Sequence, residues 1–124
     1  MQNAVGKSPF IEGLARRELR YQCCIACSAV QTLTRHACGR CDGNRFDWRV
    51  SRGEGTVFAV TVVVRAPSEE FRALAPYTLV LVDLDEGFRL MGHAVPGIAI
   101  GDRVVADYFV HGERTLVRFN PKHA

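Results

Sequence analysis

The sequence predicts a mainly β chain in three parts: an N-terminal amphipathic helix, a zinc ribbon and a five-stranded closed barrel. Two observations carry that prediction. The segment CIACSAVQTLTRHACGRC, from Cys24 to Cys41, holds two C-x-x-C pairs. From Gly53 onward the composition shifts to β-branched runs divided by Gly, Pro and Asp. The parts are expected at residues 1–20 for the extension and helix, 21–50 for the ribbon and 53–120 for the barrel. The only hinge candidate between ribbon and barrel is the short stretch VSRGEG, Val50 to Gly55.

The helix is read from its cap and its period. Ser8 can cap the first free N–H groups, Pro9 is pre-set for a first turn, and Glu12 meets the positive helix end. Phe10, Ile11, Leu14, Ala15 and Leu19 recur at three- and four-residue steps, with Arg16, Arg17 and Arg20 toward the negative end. The apolar face should cover the chain's own barrel or dock on another subunit.

The ribbon is read from ligand spacing. A C-x-x-C turn lets two thiolates reach one ion, and two facing turns supply the four soft ligands of a tetrahedral site. Cys24 and Cys27 form one half, Cys38 and Cys41 the other. Cys23 could replace Cys24, but the matching gap in the second pair favours Cys24, and Cys23 is expected to be a small buried hydrophobe. His36 is close enough in sequence to ligate, yet with four thiolates present it is read as a loop residue. Disulfides and a thioredoxin-like redox pair are weighed and set aside, since MQNAVGKSPF has no signal-peptide core and no strand-to-helix setting surrounds either pair. Iron is the serious competitor to zinc for such a cage. Flanking strands should carry Tyr21 on one side and Phe46 and Trp48 on the other. So few residues cannot bury a sufficient core, so the metal should stand in for one.

The barrel is read from strand length and turn chemistry. Thr56 to Ala66 is β-branched and nearly continuous in apolar character, as a long strand curving round a barrel requires. Pro76 to Leu84 and Phe88 to Val95 form a hairpin across Asp85, Glu86 and Gly87. Arg103 to Val110 and Arg114 to Phe119 form a second across His111, Gly112 and Glu113. A long first strand followed by two hairpins fits a small closed Greek-key barrel of the OB type.

Composition narrows the function. The formal charge is +3, which four metal-bound thiolates and a divalent ion would bring to about +1, and such near-neutrality argues against a nucleic-acid surface. No apolar run is long enough to span a bilayer and no targeting segment is visible, so a cytoplasmic location is expected. The chain has no nucleophile elbow, phosphate loop, dinucleotide fingerprint or H-E-x-x-H helix. Asp83, Asp85 and Glu86 are read as a solvated turn, and His93 and His111 as structural residues without an evident partner. A four-thiolate site leaves no position for a reacting water, so its metal should be structural and the chain should hold no catalytic residue.

The order of these motifs resembles a known family. An amphipathic helix, the ribbon cysteines Cys24, Cys27, Cys38 and Cys41, RGEGT at Arg52 to Thr56, PYTLVLVDLDEG at Pro76 to Gly87 and IGDRVV at Ile100 to Val105 are together similar to the domain of unknown function 35 family. The likeness runs from Phe10 to Phe119. Where many members have Gly after the first pair this chain has Ser28, and where they have a proline-rich approach to the second it has Thr34, Arg35 and His36. The resemblance implies a rubredoxin-like zinc ribbon with an OB-fold, and a non-catalytic accessory subunit. Its partner would be a thiolase-fold enzyme, namely a thiolase, a thiolase-like synthase or an aldolase. The small subunit would help bind or channel acyl-CoA.

If coenzyme A is met, its phosphates call for guanidinium forks, and Arg65 and Arg72 are the candidates. Phe71 and Leu74 would then border a partner or the acyl passage, unless they are buried over the barrel end. Two rival functions stand beside this one. A single-stranded nucleic-acid binder would need aromatics on exposed strand faces and a basic groove. A free-standing acyl-CoA binder or thioesterase would need no partner.

Overall fold

The structure, a computed structural model, describes residues 9–31, 37–65 and 69–122. In chain order the elements are α1 (Pro9–Ala15), β1 (Leu19–Cys24), β2 (Val30–Gln31), β3 (Phe46–Ser51), β4 (Glu54–Val63), α2 (Glu69–Arg72), β5 (Tyr77–Leu84), β6 (Arg89–Ala94), β7 (Arg103–His111) and β8 (Arg114–Pro121). Strands β2, β1 and β3 form one antiparallel sheet, with β1 in the middle. The other five close into a barrel of order β4-β5-β6-β8-β7. Antiparallel pairing of β4 with β7 seals it, and β6 runs parallel to β8. This is the mainly β architecture that the strand pattern predicts.

The helix is shorter than its apolar period suggests. It stops at Ala15, and Leu19 and Arg20 belong to β1 instead of extending its face. The Gly13 carbonyl accepts from both Arg16 and Glu18 N–H groups, at 2.9 and 2.8 Å, while Arg17 turns left-handed at φ 62°. That closes the last turn and throws the chain into an extended path. Leu19 is fully buried opposite Ser51, so tertiary pairing overrides the helical spacing. Of the apolar residues of α1, Leu14 is in the core and Phe10 packs against it, whereas Ile11 is 44% exposed. The capping residue Ser8 and the loop residues Thr34, Arg35 and His36 lie outside the described residues.

Strand β4 begins two residues before the expected Thr56 and ends at Val63, short of Ala66. Its early start depends on Gly55. A Cβ there would collide with the Asp83 carbonyl and the Val82 side chain, so only glycine lets β4 lie between β5 and β7. Gly53 just before it, at φ +77°, accepts from the Ala106 N–H at 2.8 Å. These two glycines explain the RGEGT motif.

One core runs through both sheets. Val57, Val80, Val82, Leu84, Val104 and Phe119 fill the barrel, and Leu14, Leu19 and Tyr21 join the same cluster from α1 and β1. Tyr21 stacks on Phe88 of the β5–β6 turn, with ring centroids 4.7 Å apart. At the same turn Glu86 accepts from the Ser51 hydroxyl at 2.6 Å and from the Arg52 N–H at 2.8 Å. The stretch with hinge-like composition is therefore clamped.

Candidate metal centre

Each C-x-x-C pair folds into the same knuckle. In the first, the Cys24 N–H donates to the Ala29 carbonyl at 2.8 Å and the Ser28 N–H to the Cys24 carbonyl at 2.9 Å. In the second, the Cys38 N–H donates to the Gly43 carbonyl at 2.7 Å and the Asp42 N–H to the Cys38 carbonyl at 2.9 Å. The residue after each pair is left-handed, Ser28 at φ 67° and Asp42 at φ 64°. Such a turn points both sulfurs of a pair to one side. Gly43 lies close beside them: a Cβ there would come within 3.3 Å of Ala26 and of the Cys41 sulfur, a tight fit.

The ligand atoms of Cys24, Cys27, Cys38 and Cys41 all lie within 4.8 Å of one another. Sulfurs of opposite knuckles meet at 3.6 Å, Cys24 with Cys41 and Cys27 with Cys38. A tetrahedral ion with metal–sulfur bonds of about 2.3 Å would set its ligands roughly 3.8 Å apart, so the donor set fits a soft four-coordinate ion. Cys23 faces away. It is buried, and its thiol is directed at the Cys24 and Ser28 carbonyls, 3.9 and 3.8 Å away.

Electrostatics around the sulfurs are uneven in a way that calls for a cation. The backbone N–H groups of Cys41 and Arg40 hold the Cys38 thiol down to about 6. At Cys41 the Gly43 N–H also acts to lower the value, but crowding by the Cys27, Cys24 and Cys38 sulfurs pushes it up to about 12. Four thiolates this close cannot ionise together without a positive charge among them.

The other predicted site residues are scattered. Arg65 is exposed just past the end of β4, and Arg72 is exposed on α2, 3.7 Å from Glu69. Phe71 and Leu74 are half-buried, and of the two alternatives for Phe71, a partner-facing loop residue or one packed over the barrel end, its stacking on His111 at 5.6 Å favours the second. The hairpin-tip carboxylates are also not merely solvated. Asp83 pairs with Arg89 at 2.7 Å and Asp85 takes a two-pronged bond from Arg103, 2.8 Å on each side, which lowers the Asp85 carboxyl below its usual range. Glu54 is lowered likewise by Lys122. Asp83 pairs within the β5–β6 hairpin, Asp85 ties the turn to β7 and Glu54 ties β4 to the residue after β8; each is engaged with a cation and they do not form an acid/base pair.

Sequence reasoning missed one grouping. His93 and His111, which have no visible partner in the sequence, converge on Phe71 and on a set of aromatic rings at one end of the barrel. Only the barrel topology, which closes β6 against β8 and β8 against β7, reveals it.

Comparison with known proteins gives a consistent picture. Residues 48–108 match the family model for the C-terminal OB-fold domain of ChsH2. Over 119 residues the chain is 34% identical to a probable enoyl-CoA hydratase alpha subunit of Thermomonospora curvata, covering 90% of this chain and 36% of that protein. Over 87 residues it is 32% identical to a DUF35 domain-containing scaffold protein of Methanothermobacter thermautotrophicus, covering 65% of this chain and 64% of that one. The chain thus spans between about a third and two thirds of the length of the curated relatives it matches. Among solved structures, the Ltp2-ChsH2(DUF35) aldolase superposes with a TM-score of 0.81 at 31% identity, covering 96% of this chain and 98% of that chain. A DUF35 protein of unknown function from Sulfolobus solfataricus shares the fold, with a TM-score of 0.65 at 18% identity over 91% of this chain and 82% of that one. With paired cysteine knuckles ahead of an OB barrel, and 31% identity along nearly the whole length of a DUF35 structure, the chain belongs to the DUF35 family.

Proposed function

We propose that the chain is a non-catalytic, zinc-stabilised accessory subunit of an enzyme complex that makes or breaks carbon–carbon bonds in acyl-CoA substrates. Its partner is a thiolase-fold subunit in the cytoplasm, which carries the nucleophile, while this chain helps bind or channel the thioester. The observation that carries the proposal is the likeness along 96% of the chain to a chain of the Ltp2-ChsH2(DUF35) aldolase. The site chemistry agrees with it. A cage of Cys24, Cys27, Cys38 and Cys41 has all its donors from protein and would leave a bound ion no place for substrate. No described helix is long and apolar enough to cross a membrane.

In this proposal zinc is structural, and Arg65 and Arg72 are outlying contacts for coenzyme A phosphates. The test is recovery of the untagged protein from its native extract. A thiolase-like chain should co-elute with it in fixed ratio; co-elution with nucleic acid, or thioester turnover by the isolated chain, would refute the proposal. The metal is checked in the same preparation, where a colourless protein with one zinc per chain is expected and a visible iron–thiolate absorbance would reassign the ion.

A further inference from the structure

In OB barrels ligands lie across the second and third strands, between the loop joining strands one and two and the loop joining strands four and five. In this barrel those strands are β5 and β6, the first loop carries α2, and the second is the turn from His111 to Arg114. Phe71, Tyr77 and Phe109 meet His93 and His111 at that place. Tyr77 of β5 lies 5.2 Å from His93 of β6, and Phe109 of β7 meets His93 edge-on at 5.4 Å. Phe71 of α2 closes the group from above, 6.3 Å from Tyr77 and 6.1 Å from His93.

Next to the rings is an open cavity of about 200 Å³, bordered by Pro76, Tyr77, His93, Pro96, Phe109 and Arg118. Among the described residues no carboxylate lines it. The Arg118 guanidinium lies 4.2 Å over the Phe109 ring, and among the described residues no acidic group is within ion-pair distance of it. Asp107, its partner across the β7–β8 ladder, is engaged with Arg17 at 3.7 Å. A guanidinium resting over an aromatic ring still has N–H groups to offer an oxyanion. Stacking rings accept any flat π-face. An uncharged aromatic ligand would leave Arg118 unanswered, and a bare phosphate would leave the rings unused. Burial, together with the positive charges of Arg118 and His111, depresses the His93 value, which favours an uncharged imidazole able to stack and to hydrogen-bond a base edge.

We propose that this cleft is a nucleotide site, in which a base stacks among Tyr77, His93 and Phe109 and a phosphate is held by Arg118. Resting on the acyl-CoA reading above, its occupant is the adenosine 3′,5′-bisphosphate end of coenzyme A. The cavity suits one ring system and not a whole coenzyme, so the thiol-bearing arm is left outside, directed to a partner. Arg118, and not Arg65 or Arg72, is then the principal phosphate ligand.

The test is calorimetric titration of the full, metal-loaded chain with adenosine 3′,5′-bisphosphate at low salt. One saturable site is expected. Arg118→Gln should weaken it by about tenfold or more, since a charge-assisted fork is lost, and His93→Ala should weaken it severalfold. Arg49→Gln, which removes an exposed charge from the ribbon, should leave it unchanged. Thermal unfolding of each variant separates lost binding from lost fold, and Arg118→Lys, which keeps charge without the fork, should fall between wild type and Arg118→Gln. No saturable binding at millimolar ligand, or full binding by a folded Arg118→Gln, overturns the site. Tighter binding of a single-stranded oligonucleotide, with a salt slope of several phosphates, overturns the coenzyme assignment. Partner co-elution is scored separately: a retained partner without bisphosphate binding sinks only this site, and bisphosphate binding without a partner sinks only the accessory reading.

Discussion

The ribbon and the barrel are both antiparallel β structures, yet they solve the problem of stability in opposite ways. The barrel buries Val57, Val80, Val82, Val104 and Phe119 almost completely in a closed sheet without free edges. The ribbon has three strands, one of them two residues long, and much of β3 faces solvent, with Val50 54% exposed. Its interior is sulfur. Apolar area holds one region and ligand geometry the other, so the two should answer to different perturbations.

Metal removal is the strongest way to separate them. Zinc-site formation contributes about 10 kcal/mol or more in small peptides, so a strong chelator, or Cys27→Ser, should melt the knuckles. Hydrogen exchange should show β2 and the Cys38–Gly43 turn losing protection while β5 and β8 keep theirs; equal loss throughout would mean the barrel depends on the ion. The converse perturbation is Gly55→Ala, which drives a methyl into Asp83 and Val82 and should cost about 3 kcal/mol by overpacking. Chemical denaturation should show a lower midpoint with metal content unchanged.

A smaller effect is expected where the two regions meet. Glu86→Ala removes the acceptor of Ser51 and Arg52 and should cost about 1–2 kcal/mol. The informative readout is cooperativity: single-transition unfolding should broaden or split if Glu86 couples the regions, and an unchanged transition would assign the coupling to Tyr21 and Phe88 alone. Smallest, and opposite in sign, is Ser28→Gly. Ser28 is left-handed at φ 67°, so glycine should relieve about 1 kcal/mol of strain and slow metal loss to a competing chelator. Faster loss would show that the serine side chain supports the knuckle.

Much of this was legible in the residues. Ligand pairs declare themselves by spacing, and β5 and β6 by alternation around a turn, because both are set by local geometry within a few residues. The length of α1 was not, since Leu19 satisfies a helical period as well as it satisfies β1, and only pairing with Ser51 decides between them. The acidic turn at Asp85 and Glu86 reads as solvent-facing until Arg103 and Ser51 arrive from far along the chain. The ring cluster is hidden for the same reason: Phe71, His93 and Phe109 come from three separate segments and meet only through barrel closure.

The Tyr21–Phe88 stack and the Glu86 clamp also bear on dissection of the molecule. Severing the chain near Arg52 would not release two ready-made pieces: the barrel fragment would bare the face of Phe88 and the ribbon fragment that of Tyr21, each an invitation to aggregate. Because the two halves are held at one angle, a protein that touches both would meet a preset jig, with its separation built in before contact.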